Sequence, residues 1–392
     1  MKNVVILSGM RTPIGSFQGA LASLTAPQLG AHAIKAALDK AGVQPGDVDE
    51  VLMGNVLSGG IGQAPARQAS KAAGIPDSVP CTTINKVCGS GMKTVMMAAQ
   101  AIMCGDADIV VAGGMESMTN APYILPNARA GYRMGNGTLV DSMIHDGLWD
   151  PYNNKHMGSC GDLCAAENHF SREEIDAYAG TSYQRAYDAQ ASGAFSDEIA
   201  PISIPQRKGD PVVVDKDEEP GRGNIAKLPE LRAAFEKDGV TTAGNASSIN
   251  DGGAAMVLCS EETATAKGLK PIGRVVAYAQ HAQAPEWFTT APAAAVQKLL
   301  DKAGLTVADI DLFEINEAFS VVAMHTAKTV GIPADKINVN GGAVSLGHPI
   351  GMTGTRLVLT ALHELRRRGG KYAICSPCIG GGEATAILIE AL

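Results

Sequence analysis

Apolar residues recur along this chain in two patterns. Short runs rich in apolar residues, Val4-Val5-Ile6-Leu7, Ala254 to Cys259, Ile310 to Ile315 and Tyr372 to Ile374, read as buried strands. Met92, Val95, Met96, Ala99, Ile102 and Met103 recur at three- and four-residue spacing, which predicts a helix. Ser171-Arg172-Glu173-Glu174 has the serine and glutamate of a capping box, so a charged helix is expected over 171–191. Strands alternating with helices predict an α/β chain.

The pattern also repeats. Residues 37–51 echo 299–313: Leu38-Asp39-Lys40-Ala41-Gly42 returns as Leu300-Asp301-Lys302-Ala303-Gly304, and Asp47 and Asp49 return as Asp309 and Asp311. Each copy reads as a helix end, a glycine stop and an Asp-x-Asp leading into a buried strand. Two similar α/β halves follow, 1–118 with 246–268 and 269–392. Between them, 119–245 has a different texture, with Pro, Gly, Asn and Tyr turns and a polar stretch from Asp210 to Asn224. It reads as an inserted, surface-facing subdomain. The repeat offset carries Cys88 to a point beside His348, so the pseudo-twofold predicts that these two loops share one face of the sheet.

Composition narrows the class. With 392 residues, 45% hydrophobic and 18% charged, the chain can bury a large core. Its 45 glycines follow no collagen-like period and point to tight loops and close backbone approaches. A net charge of −8 argues against nucleic acid or an anionic membrane as partner. Eight cysteines are too sparse for a disulfide framework and suit a reducing, cytoplasmic setting; no export or transit segment is visible.

Candidate chemistry centres on Asn85-Lys86-Val87-Cys88-Gly89-Ser90-Gly91, a polar loop that delivers one cysteine to the start of the Met92 helix. Gly89 and Gly91 are expected to allow a tight bend and close packing. The positive end of a helix dipole is expected to lower the thiol pKa and favour the nucleophilic thiolate. A phosphate cradle is excluded, because neither G-x-G-x-x-G nor the P-loop pattern occurs at this loop. His348, between Gly347 and Pro349, is the histidine enclosed by glycine-rich loop chemistry and suits a base held against a thiolate.

Cys375-Ser376-Pro377-Cys378 has dithiol and zinc spacing but lies between two strands rather than at a helix start, and no second pair of suitable texture accompanies it. Cys378, beside the amides of Gly380 and its neighbours, reads as a second reactive thiol next to oxyanion donors. Asn316, after an apolar strand, either orients a water or carbonyl or caps the helix from Ser320. Residues 243–248 form a small-residue loop that suits a flat or extended ligand.

Taken together, Asn85 to Gly91, Asn316-Glu317-Ala318-Phe319, Asn340 to Gly351 and Cys378-Ile379-Gly380 resemble the thiolase family over essentially the whole chain. The resemblance implies a thiolase-like α/β fold of two layered halves, with the insertion carrying coenzyme A. Asp146 to Asp150 and His156-Met157-Gly158 are similar to the short-chain acetyl-CoA acetyltransferases. That implies reversible condensation of two acetyl-CoA to acetoacetyl-CoA, with a role in fatty acid metabolism and CoA thioesters as substrates. Cys88 would carry the acetyl group, His348 would take its proton, and Cys378 would deprotonate the second substrate. A water on Asn316 with His348 would bind one thioester oxygen, and the amides of Cys88 and Gly380 the other.

Family contact positions for CoA match Leu148, His156, Met157, Ser247, Ala318 and Phe319, with Ala246 adjoining. Arg222 is the expected partner of the nucleotide, although Pro220-Gly221-Arg222 departs from the family pattern. Phe288 matches an aromatic found where 2-methyl branches are tolerated, but Thr289 breaks the rest of that pattern. No cofactor is required; some relatives bind a monovalent cation such as potassium, at positions matching Tyr183, Ala243, Gly244, Ala246 and Val344. A homotetramer, a dimer of dimers, is implied. The alternatives are a 3-ketoacyl-CoA thiolase of broader chain length, a ketoacyl synthase, which needs no Cys378, and a non-catalytic CoA or lipid carrier.

Overall fold

The computed structural model describes residues 2–392. The first half runs β1 (Val4–Arg11), α1 (Ala26–Ala41), β2 (Glu50–Gly54), α2 (Pro65–Ala72), β3 (Cys81–Ile84), α3 (Ser90–Cys104) and β4 (Ile109–Ser117). The insertion contributes α4 (Met157–Asn168) and α5 (Arg172–Ser192), after which β5 (Asn250–Ser260) closes the half. The second half runs β6 (Gly273–Ala282), α6 (Ala291–Ala303), β7 (Leu312–Ile315), α7 (Ser320–Val330), α8 (Ile350–Arg368), β8 (Tyr372–Ser376) and β9 (Glu383–Ala391).

These strands join in one sheet of order β7-β8-β9-β6-β1-β5-β4-β2-β3. Its centre is the antiparallel pair of β1 and β6, with Val4 opposite Val275 and Ile6 opposite Gly273. Going outward, each side repeats the same sequence of pairings: antiparallel, antiparallel, then parallel. The bulge between Ile6 and Ser8 in β1 is answered by one between Val275 and Ala277 in β6.

The sequence repeat is accordingly structural. α1 ends at Gly42 (φ 68°) and α6 at Gly304 (φ 67°), and each is followed by a 3-10 turn, Pro45–Asp47 or Val307–Asp309. The second aspartate of each copy then ties the next strand. Asp49 accepts from the amides of Asp108 and Ile109 at 2.9 and 2.8 Å; Asp311 accepts from those of Lys371 and Tyr372 at 2.7 and 3.0 Å.

Strand residues alternate between two cores. Val5 and Leu7 of β1 face α1 and α2, while Val4 and Ile6 join Val95 and Met96 of α3 and Leu357 and Val358 of α8. In β9, Ala384, Ala386 and Leu388 face α6 and α7, while Ile387 and Ile389 face the α3 and α8 layer. Burial on both faces is why these strands read as unbroken apolar runs. α3 and α8, one from each half, thus share the middle layer.

The insertion departs from the surface-facing reading. Its stretch 127–139 is exposed, but Cys160, Cys164, Ile175 and Ala179 are buried. Within the polar stretch, Asp217 is only 2% exposed. It accepts two hydrogen bonds from the Arg11 guanidinium, at 2.7 and 2.9 Å, while Arg11 Nε donates to Glu198 at 2.7 Å. A buried ion triad therefore fastens the insertion to β1. Among the described residues, no helix is long and apolar enough to cross a membrane.

Candidate active site

Cys88 lies between β3 and α3, one residue before the Gly89 cap. The bend is made by Val87, at φ 46°, and neither by Gly89 nor by Gly91. A β-branched residue in that region is strained by about 1–3 kcal/mol, so its surroundings must hold it. They do: Ser90 Oγ accepts from the Lys86 amide at 2.8 Å and donates to the Val87 carbonyl at 2.7 Å, and the Val87 amide donates to Asn85 Oδ1 at 3.0 Å. The glycines serve close approach instead. A Cβ on Gly89 would stand 2.3 Å from Ile379 Cδ1, and one on Gly91 would stand 2.5 Å from Thr355 Oγ1.

His348 follows Gly347, whose φ of 102° suits glycine. Its amide donates to Asn250 Oδ1 at 2.8 Å. The ring is held on both sides: Nδ1 meets Thr353 Oγ1 at 2.6 Å and Nε2 meets Asn316 Nδ2 at 3.3 Å. Thr353 donates its own proton to the Pro349 carbonyl at 3.0 Å. The network therefore assigns the neutral imidazole proton to Nδ1 and leaves Nε2 as an acceptor. Asn316 Nδ2 also points to Cys378 Sγ at 4.0 Å, while its Oδ1 is buried without a partner among the described residues. The cap of α7 is Phe319, so Asn316 is not a helix cap.

Electrostatics correct the expectation of a thiolate. Burial pushes the Cys88 thiol up to about 11, against hydrogen bonds from the amides of Gly380 and of Cys88 itself. Cys378 is pushed up by burial and by the neighbouring Cys88, against hydrogen bonding by Asn316. Burial, with the Arg356 charge, brings His348 down to about 3. Desolvation outweighs the helix start, and the resting site holds two neutral thiols and a neutral imidazole.

A cavity of about 410 Å³ opens onto Cys88, His348 and Gly380. Leu148, His156, Met157 and Arg222 line it from the insertion. Ala246, Ser247, Phe288, Ala318 and Phe319, the other positions expected to meet substrate, line it as well. Cys378 and Asn316 lie immediately behind, both fully buried. The loop residue Ala243 lines the cavity as Ala246 does. Tyr183 and Val344 belong to a separate apolar cluster with Leu228, and Gly244 packs against that leucine, where a Cβ would stand at 2.4 Å. The described residues hold no group of three or more His, Cys, Asp or Glu suited to a metal ion. Cys375, of the C-x-x-C pair, points to the carbonyl of Leu357 in α8, away from Cys378's neighbours.

Three site residues were missed in the sequence. Phe235 stacks on His156 with ring centroids 4.7 Å apart and meets Phe319 edge-on at 6.0 Å; it lies in irregular chain that carries no periodicity. Thr353, on a helix turn, shows its role only against His348. Glu116 left a signal: a carboxylate at the end of the apolar run Ile109 to Met115 must be buried with partners.

A thiol and a neutral imidazole on the wall of one cavity, with a second thiol buried behind them, at the seam of a pseudo-twofold α/β fold, define a cysteine-dependent acyl-transferring class. The thiolase N-terminal domain family matches residues 4–262 and the thiolase C-terminal domain family matches 269–391. The chain belongs to the thiolase family. It is 53% identical to acetyl-CoA acetyltransferase 1 of Arabidopsis thaliana over 391 residues, 99% of this chain and 94% of the relative. It is also 53% identical to the acetyl-CoA acetyltransferase of Chromobacterium violaceum, over 99% of both chains. Among solved structures, the Bacillus anthracis acetyl-CoA acetyltransferase superposes with a TM-score of 0.98 at 42% identity, covering 100% of this chain and 99% of that one. The Acat5 thiolase from Ascaris suum in complex with coenzyme A superposes at 0.95 with 46% identity, over 100% of both.

Proposed function

We propose that this chain is an acetyl-CoA C-acetyltransferase, condensing two acetyl-CoA to acetoacetyl-CoA and CoA and running the reverse thiolysis. The observation that carries it is Asn316 Nδ2, which meets His348 Nε2 at 3.3 Å and points to Cys378 Sγ at 4.0 Å, behind the cavity that Cys88 enters. Cys88 Sγ adds to the thioester carbonyl and its proton passes to His348 Nε2. The amides of Cys88 and Gly380 donate to the oxygen of the group that Cys88 attacks, while His348, with a water on Asn316, donates to the thioester oxygen of the second substrate. CoA leaves with the proton of Cys378, so an acetyl-Cys88, an imidazolium and a Cys378 thiolate remain together. Cys378 takes a methyl proton from the second acetyl-CoA. The enolate carbon bonds to the acetyl carbon, the Cys88 sulfur–carbon bond breaks, and His348 returns the proton to Cys88. Atoms and charge balance, and buried neutral groups exchange one proton at a time.

The lining of the cavity by Leu148, His156, Met157 and Arg222, and the coenzyme A in the Acat5 complex, support an inserted segment 119–245 that carries CoA, with Arg222 toward the nucleotide. Phe288, Phe319 and Met157 line the cavity, and their bulk supports a short acyl chain over broader 3-ketoacyl substrates. A ketoacyl synthase has no use for Cys378, and a carrier has none for the His348 network. A homotetramer and service in fatty acid metabolism rest on the family resemblance, and a cytoplasmic setting rests on the sparse, unpaired cysteines. A monovalent cation such as potassium at Tyr183, Ala243, Gly244, Ala246 and Val344 rests on the resemblance as well.

Incubation with acetyl-CoA, acid trapping and digestion tests the reading. An acetyl group on Cys88 is expected; one on Cys378, or on no cysteine, would overturn it.

A further inference from the structure

Glu116, at the carboxyl end of β4, is fully buried and lies outside the proton path described above. Its carboxylate accepts four hydrogen bonds. Oε1 takes those of Asn55 Nδ2 at 2.8 Å and the Leu57 amide at 3.1 Å; Oε2 takes those of the Val56 amide at 3.1 Å and the Gly351 amide at 2.9 Å. These donors come from two separate places. Asn55, Val56 and Leu57 follow β2, whereas Gly351 is in the first turn of α8, three residues after His348.

Both places border the nucleophile. Val56 and Leu57 pack with Cys88, Met118 and Ile350 in one apolar cluster. α8 has no side-chain cap of its own, so the Glu116 carboxylate serves its free amide from another element. Gly351 permits the approach: a Cβ there would stand 2.7 Å from Glu116 Oε2 and 2.6 Å from the Met115 carbonyl. We infer that Glu116 is a positioning residue, whose ionised carboxylate holds the Val56–Leu57 wall and the His348 end of α8 in register on either side of Cys88.

The titratable groups that face Glu116 are Asp251 of β5 and Cys88 of the turn before α3, and neither supplies a positive charge. Burial, opposed by the Leu57, Val56 and Gly351 amides, pushes its carboxyl up to about 7. Protonation near neutrality turns an acceptor oxygen into a donor that faces amides, and loosens the clamp. This is not acid unfolding. A carboxyl raised in the folded state makes the fold bind more protons than the unfolded chain, so its contribution to stability is complete below the unfolded value and declines as pH rises toward 7.

The inference rests on the acetyltransferase reading, and Glu116→Gln tests it through acetoacetyl-CoA thiolysis and iodoacetamide alkylation of Cys88 on the same preparation. The amide keeps the shape but turns an NH2 toward two donors. The wild type is expected to lose kcat as pH falls below neutrality; the variant is expected to show a kcat lower by on the order of 10- to 100-fold, KM within about twofold, an altered alkylation rate and no such decline. Folded Glu116→Gln with unchanged kcat, alkylation rate and acid limb overturns the inference. Should that variant not fold, Asn55→Ala decides: removing a donor that favours the carboxylate should move the acid limb of kcat to higher pH, and an unmoved limb overturns the inference. Absence of wild-type turnover would sink the acetyltransferase reading, and the alkylation comparison would still judge Glu116.

Discussion

The proposed mechanism gives its two thiols different tasks, and their surroundings separate them. Cys88 stands at the cavity wall under the amide of Gly380, whereas Cys378 is enclosed behind it and touched by Asn316. Because burial keeps both protonated, neither is a standing thiolate, and reactivity depends on His348 Nε2 being free to accept. Cys378→Ser keeps the nucleophile and its base but substitutes a far weaker acid. Acetylation of Cys88 by acetyl-CoA should persist, while acetoacetyl-CoA turnover falls by ~10²–10⁴. Turnover near the wild-type level would remove Cys378 from the proton path. At this scale the sequence showed which residues were chemical, through their glycine-rich settings, but misjudged the Cys88 pKa. A helix start is visible in a sequence, and the depth of burial that outweighs it is not.

The elements meet at the site through missing side chains. Gly89 has φ −88° and ψ 0°, which alanine tolerates, so its requirement is the contact with Ile379 rather than backbone freedom. Gly89→Ala should displace Ile379 and the adjoining Gly380 amide, costing about 1–3 kcal/mol of stability and at least ~10-fold in turnover. Ile379→Val removes the nearer clashing atom, Cδ1, and leaves Cγ1 at 2.9 Å, so it should restore part of both in the double variant. Equal activity of the single variant and the wild type would show that the Ile379 contact is slack. The bend itself belongs to Val87, which no glycine-based reading of the loop identifies. Its positive φ is imposed by Ser90 and Asn85, four or fewer residues away yet effective only once α3 is in place.

Across the whole molecule, the insertion is bound to the framework by charge as well as by apolar packing. Arg11 is 0% exposed, and Glu198 and Asp217 at 1% and 2% depend on it. Arg11→Met should cost about 3–5 kcal/mol in urea unfolding, because it leaves two carboxylates buried without a cation. A loss below ~1 kcal/mol would show that the triad is dispensable. The Asp210 to Asn224 stretch looks uniformly solvated in sequence, and Asp217 is distinguished from its neighbours only by Arg11, more than two hundred residues earlier.

The chain's own sequence determined the two halves, because the helix stop and the Asp-x-Asp that repeat are local devices, and each copy satisfies its backbone in the same way. It likewise determined the loops that hold Cys88, His348 and Cys378, since close approach demands glycine and leaves it visible. Only the tertiary structure decided that Asn316 reaches both His348 and Cys378, that Thr353 sets the imidazole tautomer, and that Glu116 gathers two distant loops. Those outcomes depend on distances between segments far apart in the chain and on how much water is excluded between them. Neither quantity is written in any local pattern of residues.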